Sequence, residues 1–341
     1  MIKSETRPKL TFVTPDHVQW DEYVAMHPHG AIFHTRSMIR VFAATANYSH
    51  YAYAAVNDSG TIVAMLVSVH VTTVRGLPAL SSRAIQFAEP LCNFDSEGHF
   101  ALEELIAQHD AYMRSRALFA EVRPIVTPGS EKVPLLSAGY EYSDFINVEI
   151  DLRASSEVLW RNVKKSMRQK INSTARKGIS LRDDNSMEGV GRLYELLQCS
   201  YSRARVPLAH RSLFESAITI LPPEMLRIRT AFDGDTPVAS IISLLYRGRV
   251  FSWYGGTLRL KGRSPFASII WDDMRWGHEH NYSVYDFGGA GWPHENWGIR
   301  RFKASFGGNE THHGRYRITY SKTRLKLAEF AYGISQRIGT W

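Results

Sequence analysis

The chain carries one internal echo, and it limits the fold more than any other feature. Residues 61–68 read Thr-Ile-Val-Ala-Met-Leu-Val-Ser, and residues 236–243 read Thr-Pro-Val-Ala-Ser-Ile-Ile-Ser. Each run follows a turn, Asn57-Asp58-Ser59-Gly60 in one case and Asp233-Gly234-Asp235 in the other. Each turn follows a strand-like run, 51–56 and 226–232. Asp, Asn and Gly supply the turn chemistry, and the flanking apolar runs supply the strands, so the same hairpin is read twice. The copies lie 175 residues apart in a chain of 341. Half-length spacing points to duplication of one α/β unit. A chain this long also exceeds one ordinary core and suits two.

Periodicity fills in the rest. In the first half helices are expected at 15–26, 36–45 and 96–115, with strands at 118–125 and 140–152. The second half opens with a helix over 156–177, where Trp160, Val163, Met167, Ile171 and Ala175 form one apolar stripe. Ser155 is its N-cap and Gly178 its C′ residue. Helices at 187–202, 211–220, 265–280 and 298–305 follow, with strands at 250–255, 283–287 and 315–320. The class is α/β (α+β), each half a mixed twisted sheet flanked by helices. The expected domains are 1–152 and 153–320, and the terminal helix within 321–341 is expected to pack back on the first.

The net charge of +8 is unevenly spread. Residues 161–177 carry seven basic side chains and no acidic one, and residues 300–326 carry eight against Glu310 alone. Everything else is net acidic. Such asymmetry suits an anionic partner, such as a phosphate, a nucleotide, a tRNA or an acidic lipid head group; two solvated helix faces are the plainer alternative. Residues 1–10 lack an apolar run, and no stretch of eighteen apolar residues occurs, so neither a leader nor a membrane span is expected. Cys92 and Cys199 form no CxxC pair or metal spacing, which fits a reduced, cytoplasmic compartment.

The second half contains recognisable text. Trp160, Lys164-Lys165-Ser166-Met167-Arg168-Gln169-Lys170-Ile171 and Ala175-Arg176-Lys177-Gly178 resemble the basic helix of the FemABX family. Tyr285-Asp286-Phe287-Gly288-Gly289, Gly298-Ile299-Arg300-Arg301-Phe302-Lys303 and Phe306-Gly307-Gly308 resemble its later motifs. The first half is similar through Trp20, Phe33-His34 and the hairpin at 58–64. The nearest likeness is to the FemAB-like, BioF2-like acetyltransferase branch of the GNAT superfamily. The resemblance implies two tandem GNAT-like domains and transfer of an acyl or aminoacyl group to an amine, from acyl-CoA or aminoacyl-tRNA. The chain lacks room for the helical arm of several bridge-forming members, which weakens the carry-over of tRNA.

Candidate residues follow from that chemistry. The acceptor amine must lose a proton, the carbonyl oxygen must be stabilised as it gains charge, and both partners must be aligned. Lys303 matches the family Lys that steadies the developing anion or holds an acidic group; a surface Lys is the alternative. Tyr254 resembles the cleft tyrosine, and a buried aromatic capping the sheet fits equally. Asp286 is a candidate base, although an Asp before two glycines more often caps a loop. Tyr201 and Arg203 suit a phosphate or carboxylate, and Phe302, Gly288, Gly289 and His34 complete the candidate substrate-binding set, with a structural role open for His34. Arg259, Gly262 and Ser264 resemble the GNAT loop that cradles the pyrophosphate of coenzyme A, and a basic surface turn is the alternative. The histidines form no metal motif: His278 and His280 diverge on a helix, and His312 and His313 point to opposite faces of a strand. No metal is therefore expected.

Expected partners are an anionic small-molecule or lipid-linked acceptor and a tRNA, with peripheral contact at the inner membrane. The rival class is a non-catalytic tRNA- or glycan-binding module on the same double fold.

Overall fold

The computed structural model describes residues 8–73, 77–295 and 298–338. The reading of residues 1–10 as free of a leader, and the last residues of the expected terminal helix, fall partly outside these. In chain order the strands are β1 (Thr11–Val13), β2 (Tyr48–Val56), β3 (Ile62–Thr72), β4 (Ser82–Gln86) and β5 (Leu91–Cys92). Then come β6 (Phe119–Val122), β7 (Glu141–Ser143), β8 (Ile146–Asp151), β9 (Ile179–Asp183) and β10 (Leu226–Asp233). The last are β11 (Thr236–Tyr246), β12 (Arg249–Thr257), β13 (Val284–Gly289), β14 (Asn309–His312) and β15 (Arg315–Thr319).

Two compact units result. One holds the chain up to Ser143 together with His313–Ile334, and the other holds Asp144–His312 and the chain from Ser335 on, so the terminal helix is not assigned to the first unit as a whole. The first unit's sheet runs β1-β2-β3-β4-β6-β15-β7, with β5 attached to β3. The second runs β14-β8-β13-β12-β11-β10-β9. Read from the β9 edge, the two orders correspond strand for strand. The echoing hairpins are β2–β3 and β10–β11, and they occupy equivalent places. Parallel pairing also recurs, at β4–β6 and at β12–β13. Parallel neighbours need a crossover; the helices Ser96–Met113 and Pro265–Glu279 supply it.

Three expectations are corrected. The run 140–152 is two strands, β7 in the first sheet and β8 in the second, where β8 pairs with β13 and β14. β15, placed in the second half by the sequence, pairs with β6 and β7 of the first. Each unit thus receives the strand that follows the other unit's last one. Third, the helix expected over 156–177 is two, Ser156–Asn162 and Lys165–Arg176. Val163 and Lys164 are extended between them, and the Lys164 N–H donates to the Ser305 carbonyl (2.9 Å) instead of continuing the helix. Most of the expected apolar stripe is kept: Val163, Met167 and Ile171 are buried in the second unit's core with Val148, Tyr285, Phe287 and Phe306, and Trp160 packs against it partly buried. Ala175 is exposed, and Leu159, outside the expected stripe, is buried in its place.

Candidate active site

The site begins where a strand pair stops pairing. β12 and β13 are matched only from Arg249↔Val284 to Phe251↔Asp286, yet β12 runs on to Thr257 and β13 to Gly289. Both strands carry irregularities there. β12 slips against β11 between Ser252 and Tyr254, and β13 slips against β8 between Asp286 and Gly289. Bulges bend a strand and redirect its groups, so the parallel pair parts beyond Phe251. Carboxyl ends of adjacent strands that part are where α/β sheets bind ligands.

Lys303 lies at this opening. It belongs to the short helix Gly298–Ala304, and its Nζ donates to the carbonyls of Phe287 (2.6 Å) and Gly289 (2.8 Å). Gly288 between them sits at φ +65°, a conformation that a side chain disfavours, and this turns the two carbonyls toward one ammonium. Burial lowers the Lys303 pKa to about 8, against the opposing pull of the Asp286 carboxylate. An ammonium has three N–H donors, so two are engaged and one remains.

Asp286 is not placed as a free base. It is fully buried, its Oδ1 accepts from the Gly288 N–H (2.6 Å), and its Oδ2 accepts from Arg249 Nη1 (2.8 Å). Arg249 also donates to Glu149 (2.6 Å), so one guanidinium ties β12, β13 and β8 together at the foot of the opening. Phe302 packs against Phe266 and Phe306, fastening the Lys303 helix to the core.

A second group gathers on β12. The Tyr254 ring meets Phe214 edge-on (5.0 Å), Trp253 (5.3 Å) and Tyr201 (6.2 Å). Tyr201 is pushed up to about 12 by burial. Arg203 is exposed, and its Nη2 folds back onto the Thr257 carbonyl (3.1 Å). Beside it Ser200 accepts from the Thr257 N–H (2.8 Å), clasping the helix Met187–Ala204 to the strand end.

The loop between β12 and the helix Pro265–Glu279 forms a third group. Arg259 is exposed, and Gly262 adopts φ +68°. Lys177 Nζ donates to the Gly262 carbonyl (2.9 Å), and the Ser264 N–H donates to Thr174 Oγ1 (2.8 Å), so the basic helix holds the loop. Arg161, Lys164, Lys165, Lys170, Arg176 and Lys177 are exposed on the two helices over 156–176, the joint between them and the residue after them. By position, the amides of Phe266 and Ala267 start a helix without acceptors of their own, a setting that favours an anion.

His34 stands apart in the first unit. It is buried, its Nδ1 accepts from the Ala31 N–H (3.1 Å) and its Nε2 donates to the Glu89 carbonyl (2.8 Å). Both ring nitrogens are committed, and burial lowers its pKa to about 4, so it stays neutral and structural. Sequence reasoning missed Arg249, Glu149, Ser200 and Thr174. None lies in a motif, and only tertiary pairing joins them to residues that do. A cavity of about 410 Å³ is lined by Asp183, Arg227, Trp276 and Tyr282, where Arg227 stacks on Trp276.

A model of the acetyltransferase (GNAT) domain matches residues 161–303, which contain all three groups except Glu149 and Phe306. Similar folds extend over nearly the whole chain. FemX aligns with 95% of this chain and 100% of its own, at a TM-score of 0.68 and 13% identity. A C-terminal domain from Agrobacterium fabrum, assigned to a lysylphosphatidylglycerol synthetase, aligns over 93% and 95% at 0.59 and 15% identity. A tandem GNAT protein from the clavulanic acid biosynthesis pathway aligns over 92% and 99% at 0.56 and 12% identity. No curated protein sequence matches the chain. The fold is thus like that of tandem GNAT proteins, one acetyltransferase-type α/β unit carried twice. Among such proteins, the whole-chain fold is FemAB-like, as the motifs around Lys303 imply.

Proposed function

We propose that the chain is an N-acyltransferase that joins an activated acyl or aminoacyl group to an amine of a cell-envelope or polysaccharide precursor. The observation that carries this reading is the Lys303 ammonium, fixed on two backbone carbonyls where β12 and β13 part. The amine nitrogen attacks the activated carbonyl carbon and forms the new C–N bond. Charge gathers on the carbonyl oxygen, and the remaining N–H of Lys303 stabilises it. The C–S bond of a thioester, or the C–O bond of an aminoacyl ester, then breaks, and the thiol or hydroxyl leaves as the amine sheds its proton. Arg249, Asp286 and Glu149 hold the strand ends in place through this sequence and touch no reacting atom.

The donor proposed first is acyl-CoA. Its pyrophosphate suits the loop at Arg259, Gly262 and Ser264, beside the exposed lysines of the basic helix. The tandem GNAT neighbour described without AcCoA makes this donor reasonable, and the lysylphosphatidylglycerol synthetase neighbour keeps aminoacyl-tRNA and a lipid-linked acceptor in view. Two measurements decide between the donors. Saturable coenzyme A binding that is lost in Arg259→Ala supports acyl-CoA. Binding of tRNA that weakens steeply with salt, with none for coenzyme A, supports aminoacyl-tRNA and overturns the loop assignment. A chain that binds either without transferring anything is the non-catalytic module.

A further inference from the structure

We propose that the first unit holds a divalent transition-metal ion between His29, Glu89 and Glu131. The three residues come from separate segments: the turn after the helix Trp20–Met26, the loop after β4, and the N-cap of the helix Lys132–Ser137. Their ligating atoms all lie within 4.8 Å of one another. His29 Nδ1 is 2.5 Å from Glu131 Oε1 and 3.7 Å from Glu89 Oε1. Metal–ligand distances of about 2.0–2.2 Å are met by small side-chain adjustments around a common centre.

The carboxylates give the independent argument. The side chains of Glu89 and Glu131 are 0% and 1% exposed, and His29 is 19% exposed. Glu89 Oε1 and Glu131 Oε2 have no hydrogen-bond partner of ordinary geometry, although the backbone N–H groups of Gly129 and Glu131 lie toward the Glu131 carboxylate. Two buried carboxylates, each with an unsatisfied oxygen, are costly, and one imidazole balances a single charge at most. A dication neutralises both and takes the idle oxygens as ligands, with water from the exposed side of His29 completing the shell. One imidazole with two carboxylates suits Zn²⁺, Fe²⁺ or Mn²⁺ better than Ca²⁺.

The surroundings fix these donors. Glu89 Oε2 accepts from the Ile125 backbone N–H (3.1 Å), and the His29 backbone N–H donates to His27 Nδ1 (3.1 Å). Gly129 leaves room, since a Cβ there would lie 3.1 Å from Glu131 Oε2. Glu89 and Ile125 also follow β4 and β6, the first unit's parallel pair. That end of the pair is therefore bridged by a side chain, whereas the corresponding end of β12–β13 is open.

The test uses the full chain with its affinity tag removed, stripped with EDTA and titrated with Zn²⁺ by calorimetry and with Co²⁺ by absorption. One equivalent should bind, the visible Co²⁺ bands should indicate nitrogen and oxygen ligands, and Zn²⁺ should raise Tm. His29→Gln and Glu131→Gln should each weaken binding at least about tenfold. Circular dichroism in EDTA checks that the variants are folded; if neither folds, the wild-type stoichiometry and Co²⁺ spectrum decide. Wild type that binds none of Zn²⁺, Co²⁺, Mn²⁺ and Fe²⁺, or folded variants that bind them equally well, overturns the site, whatever the outcome for acyl transfer.

Discussion

At the scale of single residues, the chemistry depends on what state Lys303 is in. Its two carbonyl partners take two N–H donors, so its proposed role needs the third donor and the charge of the ammonium, and its pKa near 8 puts the loss of that charge within reach of an ordinary pH series. Since the protonated form is the working one, activity should fall as pH rises through about 8. Lys303→Arg, whose guanidinium stays charged, should move that alkaline limb upward. Lys303→Met should lower kcat by about 10²–10³ while donor binding changes little. An unmoved limb in the arginine variant would refute the assignment. The titration can also be followed directly: after reductive ¹³C-methylation, one lysine signal should titrate near 8 and be missing from Lys303→Arg. In the sequence this residue stood out only through the family resemblance of the Gly298–Lys303 run; the spacing alone is equally that of a surface lysine. Arg249 did not, because its meaning comes from Asp286, 37 residues on, and from Glu149, 100 residues back, with no spacing rule connecting them. The His29, Glu89 and Glu131 cluster was invisible for the same reason.

Between elements, close approach does what side-chain patterns do not announce. Gly256 on β12 lies against the helix Met187–Ala204 so tightly that a Cβ would meet the backbone of Leu196 and Leu197 at 2.4–2.5 Å. Backbone cannot yield as a side chain can. Gly256→Ala should therefore cost about 1–3 kcal/mol in a denaturant titration and loosen the Ser200–Thr257 clasp. In the first unit, Asp110 Oδ1 accepts from Tyr140 (2.8 Å) and Tyr320 (2.6 Å), joining the helix Ser96–Met113 to the segment after β15. Asp110→Ala strands two phenols, one of them buried, and the buried His109 Nδ1 that lies 2.9 Å from the same oxygen, and should destabilise by about 1–3 kcal/mol, more than Tyr320→Phe, which removes a single donor. Helix stripes and hairpins were readable because each is a local period. The break at Val163–Lys164 was not, since the Ser305 carbonyl, 141 residues later, captures the Lys164 N–H.

For the whole molecule, the reciprocal placement of β8 and β15 decides where the chain can be divided. All seven strands of the second sheet lie between Asp144 and His312, so a fragment over those residues carries its complete ladder. One starting at residue 153, the boundary read from sequence, lacks β8 and leaves facing edges of β13 and β14 unpaired. Residues 1–143 alone lack β15 and leave β6 and β7 in the same condition. Unpaired edges in a sheet interior lose their hydrogen bonds and invite association. The duplication was legible in the hairpins; the exchange was not, because β8 alternates apolar and polar residues that suit either sheet. Fragment 144–312 should unfold in a single cooperative thermal transition, whereas 153–312 and 1–143 should aggregate or show none. Extending 1–143 with residues 313–338 through a flexible linker should restore its transition. Equal folding of 144–312 and 153–312 would mean that β8 contributes nothing essential to the sheet that carries Lys303.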